Sequence, residues 1–337
     1  MSQTILTTGG TGYVGSWVVK GLLEKGHTVR VATRDKSRAD KYQFLVDLAA
    51  ELPGTLEIWE ADLLAPGGYD EAAKGADAIV HMASPFFLNP KNPQTELVDP
   101  ALKGTENVLE AANRSGSVKK VVLTSSVVAV YGDNVDMTNQ GLSAFTEEHF
   151  NTTSSLDHQP YNFSKVLAEK KAWEMAEQAD WDLVVMNPSF VMGPPLSKNS
   201  KSESLNFMNN LLTGKMKTGV PELNFGFVDV RDVAYAHIYG LENEAEGRHI
   251  LCERTTSMMD FANIIREQTD VKKGLPSSKT PKWLAGLIGP LFGLTRKYVK
   301  NNVGYPVKLD NRKSIEKLQL NYTPLEQTVK DMVAVMR

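Results

Sequence analysis

The chain has 337 residues, of which 42% are apolar and 23% charged, and its formal net charge is -3. This length suits one large α/β domain or two small ones, and the balanced charge gives no reason to expect nucleic-acid binding. The single cysteine, Cys252, excludes an intrachain disulfide framework and, in practice, a cysteine–histidine metal centre. We therefore expect a cytoplasmic protein without a bound metal.

A glycine-rich bend follows the first predicted strand. The β-prone run from Thr4 to Thr7 leads into Gly9, Gly12 and Gly15, and a helical pattern follows directly. Glycines let the backbone turn sharply against a pyrophosphate, whose charge the free N–H groups at a helix start would face. The order of strand, turn and helix therefore predicts a dinucleotide-binding βα unit, in which Gly15 allows close helix packing.

The second predicted strand, His27 to Thr33, bears on the choice of cofactor. NAD-binding folds place an acidic residue at its end to bind the ribose 2′-hydroxyl, but this chain has Thr33 followed by Arg34. A cation there suits a 2′-phosphate and favours NADP, and Lys41 is a second candidate. The neighbouring Asp35 is equally compatible with a simple capping role.

Two further strands end on the same predicted edge of the sheet. The run from Leu56 to Trp59 precedes Asp62, which could accept a hydrogen bond from adenine or cap the next helix. The apolar run from Ala76 to His81 precedes small residues that would let a cofactor pass near the backbone. We interpret His81 itself as structural.

The fifth strand, Val118 to Thr124, leads to Ser125 and Ser126, and the segment containing Tyr161 and Lys165 follows later. The tyrosine and lysine are four residues apart and share one helix face. A lysine cation would lower the tyrosine pKa, so that the phenol could pass a proton to a carbonyl oxygen that the Ser126 hydroxyl holds.

The rest of the chain is predicted to build a substrate lobe. A sixth strand, Trp181 to Asn187, precedes a polar loop; a strand from Phe225 to Val230 returns to the main domain. The apolar run from Trp283 to Leu294 is too short to span a bilayer and predicts a buried helix pair. Candidate pocket walls are Phe86, Phe87, Tyr131, Phe190 and Met192.

Seven sequence motifs follow one another along the chain: TGGTGYVG (8–15), VATRD (31–35), EADL (60–63), VLTSS (122–126), YNFSK (161–165), NPSFVMGP (187–194) and FVDVRDVA (227–234). Motifs in this order resemble those of the extended short-chain dehydrogenase/reductase family. The similarity is greatest to its branch of dihydroflavonol 4-reductases, cinnamoyl-CoA reductases and microbial aldehyde or ketone reductases.

The resemblance implies roles for individual residues. Ser126, Tyr161 and Lys165 would be catalytic, and the last two would also contact the cofactor. The remaining implied cofactor contacts are Gly9, Thr11, Gly12, Tyr13, Val14, Gly15, Arg34, Lys41, Asp62, Leu63, Ala83, Ser84, Ser125, Pro188 and Ser204.

The chain also departs from two members of that branch. The Asn-Trp-Tyr-Cys-Tyr segment of cinnamoyl-CoA reductases is replaced here by residues 158–164 (HQPYNFS), which counts against a CoA thioester. Tyr131 stands where dihydroflavonol reductases often place Asn or Asp, which counts against a flavonoid.

The resulting hypothesis is an NADPH-dependent carbonyl reductase acting on a small-molecule aldehyde or ketone, as a monomer or homodimer, without nucleic-acid or membrane partners. We expect a Rossmann-type, doubly wound parallel sheet and a smaller, mostly helical C-terminal lobe. Residues 1–188, with 225–240 returning, would form the dinucleotide-binding domain; 189–224 and 241–337 would form the lobe. The alternatives are an NAD-dependent nucleotide-sugar epimerase or dehydratase, a steroid-type hydroxy-dehydrogenase, and a non-catalytic cofactor-sensing regulator.

Overall fold

The computed structural model describes residues 2–84 and 90–337, except for the side chain of Phe292. The predicted pocket walls Phe86 and Phe87 lie outside the described residues. In chain order the strands are β1 (Thr4–Thr8), β2 (Thr28–Thr33), β3 (Thr55–Glu60), β4 (Ala78–His81), β5 (Lys120–Thr124), β6 (Asp182–Pro188), β7 (Phe190–Met192), β8 (Val220–Pro221), β9 (Asn224–Asp229), β10 (Gly247–Leu251), β11 (Arg254–Ser257) and β12 (Lys279–Thr280).

The helices alternate with the strands in the first half of the chain and dominate its end. They are α1 (Tyr13–Glu24), α2 (Gln43–Ala49), α3 (Asp70–Ala73), α4 (Asp99–Ser115), α5 (Val135–Asn139), α6 (Pro160–Ala176), α7 (Glu203–Leu212), α8 (Val230–Glu242), α9 (Met258–Gln268), α10 (Lys282–Ile288), α11 (Arg296–Asn302), α12 (Arg312–Lys317) and α13 (Leu325–Met336). Short 3₁₀ segments lie at Ala39–Lys41, Val127–Ala129 and Gly289–Phe292, and a π-helical turn, Gln94–Val98, leads into α4.

Within the described residues the central sheet has seven strands in the order β10-β6-β5-β4-β1-β2-β3, and every neighbouring pair is parallel. Its inner strands, such as β4 and β5, are apolar and buried because helices cover both faces. Apolar side chains of α1 and α8 pack on one face, and those of α4 and α6 pack on the other. The predicted doubly wound Rossmann-type fold is confirmed.

Two small sheets form beside the central one. The strand predicted from Phe225 to Val230 is present as β9, and it pairs with β7 and β11 in a three-stranded sheet and not with the central one. Helix α8, which follows β9, does return and packs against α1. The seventh strand of the main sheet is instead β10, within the range predicted to belong to the lobe. The two predicted domains themselves stay a prediction.

The apolar run near the C-terminus also differs from its prediction. Helix α10 buries Ala285 but leaves Trp283 and Leu287 exposed by 72% and 61%, and Leu291 beyond it is exposed by 84%. The expected buried helix pair is therefore wrong for these side chains. No helix in the described ranges combines the length and the apolar character needed to cross a membrane.

Candidate active site

The glycine bend connects β1 to α1 and brings three backbone segments together. Gly9 has φ +69°, and a Cβ atom on it would lie 2.9 Å from the amide nitrogen of Ala83. A Cβ atom on Gly15 would lie 2.1 Å from the carbonyl oxygen of Gly9, so any side chain there collides with the backbone. Helix α1 begins after Gly12 without a side-chain cap, which leaves N–H groups of its first turn for an anion.

Thr8 ties the end of β1 to the end of β4. Its hydroxyl oxygen accepts hydrogen bonds from the amides of Met82 (3.1 Å) and Ala83 (3.0 Å), and so its proton goes to Nδ1 of His81 at 2.7 Å. Burial, with a smaller contribution from the Lys165 cation, lowers the pKa of His81 to about 3. His81 is therefore a neutral structural group, as the sequence indicated.

A cavity of about 650 Å³ opens along the carboxyl ends of β1, β4, β5 and β6. Ser126, Tyr161 and Lys165 all line it, although they are up to 39 residues apart in the chain. The predicted cofactor contacts that also line it are Gly9, Gly12, Tyr13, Val14, Gly15, Ser84, Ser125, Pro188 and Ser204. One cavity thus collects the predicted catalytic residues and most of the predicted cofactor contacts.

Backbone contacts hold Ser126 at the end of β5. Its hydroxyl accepts a hydrogen bond from the Val128 amide at 3.3 Å and is 3.5 Å from the carbonyl oxygen of Pro188. Asn187 donates to the Ser126 carbonyl oxygen at 3.1 Å. The residue therefore sits between β5 and β6, with its hydroxyl on the cavity.

The pKa values of Tyr161 and Lys165, the predicted catalytic pair on α6, differ from the prediction in one respect. Burial raises the pKa of Tyr161 well above its usual value, whereas the sequence led us to expect lowering by Lys165. Burial lowers the pKa of Lys165 to about 8, and the charge of Glu169 acts in the opposite direction. Burial therefore sets the direction of both pKa shifts.

Glu169, which sequence reasoning missed, is a buried carboxylate one helical turn beyond Lys165. Arg248 of β10 donates to its Oε1 at 2.5 Å, and Asn187 donates to Oε2 at 2.8 Å. The Ser125 hydroxyl donates to the same Oε2 atom. The signal was present, since a Glu four residues after the lysine lies on the same helix face.

Helix α1 also holds the loop that follows β7. The buried Tyr13 hydroxyl donates to the Gly193 carbonyl oxygen at 2.7 Å, and Trp17 Nε1 donates to the Pro194 carbonyl oxygen at 2.9 Å. The Tyr13 side chain therefore supports the fold as well as lining the cavity. Met192, predicted as a pocket wall, is fully buried in an apolar cluster with side chains of α7, α9 and α13, and that prediction is wrong.

The predicted residues for the adenosine end lie outside this cavity. Arg34 and Lys41 are exposed, and neither forms an ion pair within the described residues. Asp62 accepts a hydrogen bond from the Leu64 amide at 3.0 Å, which is a local turn contact. The backbone of Leu63 is held by Asn107, which donates to its carbonyl oxygen at 2.8 Å. Thr11 and Ala83 belong to the glycine bend and to the segment packed on it.

Aromatic and polar side chains form the far wall of the cavity. Tyr131 and Phe190 line it as predicted, and so do Phe225, Tyr298 and Gln159. The Tyr131 ring is stacked on Phe145 with centroids 5.0 Å apart. The wall can therefore hold an apolar or aromatic group beside Tyr161.

Buried Asp133 fixes the start of α6 against this wall. It accepts hydrogen bonds from His158 (2.8 Å), Gln159 (2.7 Å), Asn301 (2.8 Å) and Asn302 (2.6 Å). Gln159 lies in the left-handed region at φ +57°, directly before the helix that carries Tyr161 and Lys165. Four donors on one carboxylate can hold such a conformation and so position the helix start.

The fold and this site define a dinucleotide-dependent oxidoreductase. Residues 5–252 match the model of the NAD dependent epimerase/dehydratase family, and so the chain belongs to this family, as its resemblance to the extended short-chain dehydrogenases/reductases implied. No group of three or more His, Cys, Asp or Glu that could hold a metal is found among the described residues.

Known relatives of the chain include reductases. The chain is 36% identical to cinnamoyl-CoA reductase CAD2 of Medicago truncatula, over 100% of this chain and 96% of the relative. It is 34% identical to an anthocyanidin reductase of Vitis vinifera, over 83% of each chain. The solved yeast methylglyoxal/isovaleraldehyde reductase Gre2, complexed with NADPH, has a TM-score of 0.81 and 26% identity over 99% of this chain and 98% of that one.

Proposed function

We propose that the protein is an NADPH-dependent carbonyl reductase that converts an aldehyde or ketone to an alcohol. The observation that carries the proposal is the convergence of Ser126, Tyr161 and Lys165 on the cavity that begins at the glycine bend. The names of its relatives support reduction, and the NADPH complex of Gre2 supports the cofactor. The aromatic wall supports an apolar or aromatic carbonyl substrate.

The residues present fit a dinucleotide. The bend at Gly9 and Gly15 leaves no room for side chains, and the uncapped start of α1 offers N–H groups to a pyrophosphate. Arg34, an exposed cation at the end of β2, would hold a 2′-phosphate. When bound, NADPH supplies the hydride for the reaction.

The protein side chains would handle the proton and the carbonyl oxygen. Burial keeps Tyr161 protonated, so it can donate a proton to that oxygen. Ser126 would hydrogen-bond the same oxygen and fix its position. The ammonium group of Lys165 would stabilise the phenolate that forms when Tyr161 gives up its proton.

The proposal is tested with a panel of aliphatic and aromatic aldehydes, α-keto esters and diketones, assayed by the loss of NADPH absorbance. The wild-type protein should reduce at least one of them, and Tyr161→Phe should lose at least about 100-fold in kcat while binding NADPH normally. Near-full turnover by that variant would show that Tyr161 is not the acid.

The epimerase or dehydratase alternative predicts another result. An enzyme of that kind would carry tightly bound NAD after purification and would show no net NADPH oxidation with any carbonyl compound. Thr33 stands where an acidic residue would serve NAD, which favours the reductase. The chain resembles a solved UDP-glucose 4-epimerase at 22% identity and TM-score 0.75, which concerns the fold alone.

A further inference from the structure

The segment 271–309 is the most unevenly charged part of the chain. It contains eight Lys and Arg and no Asp or Glu, whereas the rest of the chain has 29 Lys and Arg against 40 Asp and Glu. All eight cations are exposed. Only one of them, Lys279, forms an ion pair within the described residues, with Glu222 at 2.8 Å. The segment therefore carries a formal charge of +8 on a protein whose net charge is -3.

The same segment exposes three large apolar side chains at a spacing of four residues. Trp283, Leu287 and Leu291, here named the apolar ridge, are exposed by 72%, 61% and 84%. Helix α10 packs inward through Ala285 instead, within a cluster that includes Val299 and Val303. The ridge therefore projects from the surface and is not a displaced part of the core.

We propose that the apolar ridge and the cations of α10 and α11 (Lys282, Arg296, Lys297 and Lys300) form a peripheral docking surface for an anionic lipid membrane. Tryptophan and leucine on one side of a short helix can insert at the headgroup level, and exposed Lys and Arg are attracted to anionic lipids. The inference departs from the sequence-based expectation of no membrane partner, and it does not depend on the proposed reductase activity.

The positive charge of the docking surface argues against a second copy of the chain as its binding partner. A symmetric contact through the ridge would bring the cations of α10 and α11 (Lys282, Arg296, Lys297 and Lys300) of one copy close to the same cations of the other. Such repulsion is unfavourable in the absence of intervening acids, and neither helix contains one. A surface of anionic headgroups neutralises the cations while the ridge enters the apolar layer.

Flotation with lipid vesicles tests the proposal on the full-length protein. The protein should float with vesicles of about one-third phosphatidylserine in phosphatidylcholine at about 0.1 M salt, and pure phosphatidylcholine should bind it far more weakly. Raising the salt to about 0.5 M should release most of it. No flotation with anionic vesicles at low salt would overturn the proposal.

Two sets of variants separate the apolar and the charged contributions. The triple variant Trp283→Ser, Leu287→Ser and Leu291→Ser should lose binding at least about tenfold. Replacing the three cations of α11 by Gln (Arg296, Lys297 and Lys300) should weaken binding about 100-fold, at roughly fivefold for each charge. If the triple Ser variant bound vesicles like the wild type, the ridge would not belong to the docking surface. If the triple Gln variant did so, the cations of α11 would not belong to it.

A matched control removes exposed apolar side chains elsewhere. Val46→Ser, Ile315→Ser and Val335→Ser change residues that are exposed by 38%, 44% and 49% and should leave vesicle binding unchanged. Equal loss of vesicle binding in this control would mean that the ridge has no special role.

Sedimentation of the wild-type protein tests whether a second copy covers the ridge. We expect no dimer that depends on the ridge. A wild-type dimer that dissociates in the ridge variant would make a second copy the occupant and refute the proposal.

Discussion

Replacing Glu169 with Gln tests the electrostatics of the site because it removes a charge and nearly keeps the shape. The wild-type carboxylate raises the pKa of Lys165 against the larger lowering by burial, which leaves it at about 8. Without that carboxylate the pKa of Lys165 should fall further. A neutral amine cannot stabilise the Tyr161 phenolate. As the pH rises, the rate of the variant should therefore begin to fall at a lower pH than the rate of the wild type.

The size of the effect follows from the separation of the two charges. Side chains four residues apart on a helix bring their charges to roughly 7 Å, and at an effective dielectric constant near 20 this gives about 2 kcal/mol. Partial relaxation reduces that value, and a pKa change of about 1 is the expected result. At pH 8 the protonated fraction of Lys165 should therefore fall from about one half to about one tenth, a loss of roughly fivefold in kcat/KM that approaches about tenfold near pH 9, whereas near pH 6 the variant should lose little.

The assay is the pH profile of kcat/KM with saturating NADPH between about pH 5.5 and 9. Glu174→Gln is the matched control, because Glu174 lies on the same helix but is exposed and pairs only with Lys171 among described residues. The melting temperature must also be followed, since the new amide group faces Arg248 and costs about 1–3 kcal/mol. A uniform loss of rate at every pH would refute the electrostatic reasoning and leave Glu169 as a structural residue.

Three further changes test the cofactor side of the site. Arg34→Ala should raise KM for NADPH at least about tenfold and leave KM for NADH nearly unchanged; equal effects would remove Arg34 from the 2′-phosphate contact. Gly15→Ala should lose measurable NADPH binding in fluorescence titration, because its Cβ atom would lie 2.1 Å from the Gly9 carbonyl oxygen, and normal binding would contradict that steric argument. Tyr13→Phe should destabilise the protein by about 1–2 kcal/mol in chemical denaturation, through loss of the hydrogen bond to the Gly193 carbonyl oxygen; an unchanged midpoint would show that the contact is energetically neutral.

The parts of the site that were predictable from sequence are local or follow from the parallel sheet. The glycine bend is one continuous segment, and Tyr161 and Lys165 lie on one helix face. Ser126 follows a buried strand, and all parallel strands present their carboxyl ends at one edge. The sheet topology therefore brings the glycine bend and Ser126 to one edge, and helix α6 supplies Tyr161 and Lys165 to the same cavity.

Pairings between distant apolar runs were harder to predict. The runs that became β9 and β10 are both short and buried, and nothing within either run indicates which of them joins the main sheet. The same holds for Trp283 and Leu287, whose apolar character suggested burial. Whether such a residue is covered depends on the elements around it, and here none of the described elements covers them.

The direction of the Tyr161 pKa shift was not predictable from the sequence, although the residues that line the cavity with it were. The spacing from Lys165 predicts an attractive interaction with a phenolate, but desolvation depends on how many neighbouring groups exclude water, which a motif does not contain. Burial acts on both residues at once, raising the pKa of Tyr161 and lowering that of Lys165. Glu169 limits the second effect, and its partner Arg248 comes from β10, 79 residues further along the chain. The carboxylate that acts on Lys165 is therefore held by a strand that no local pattern connects to α6.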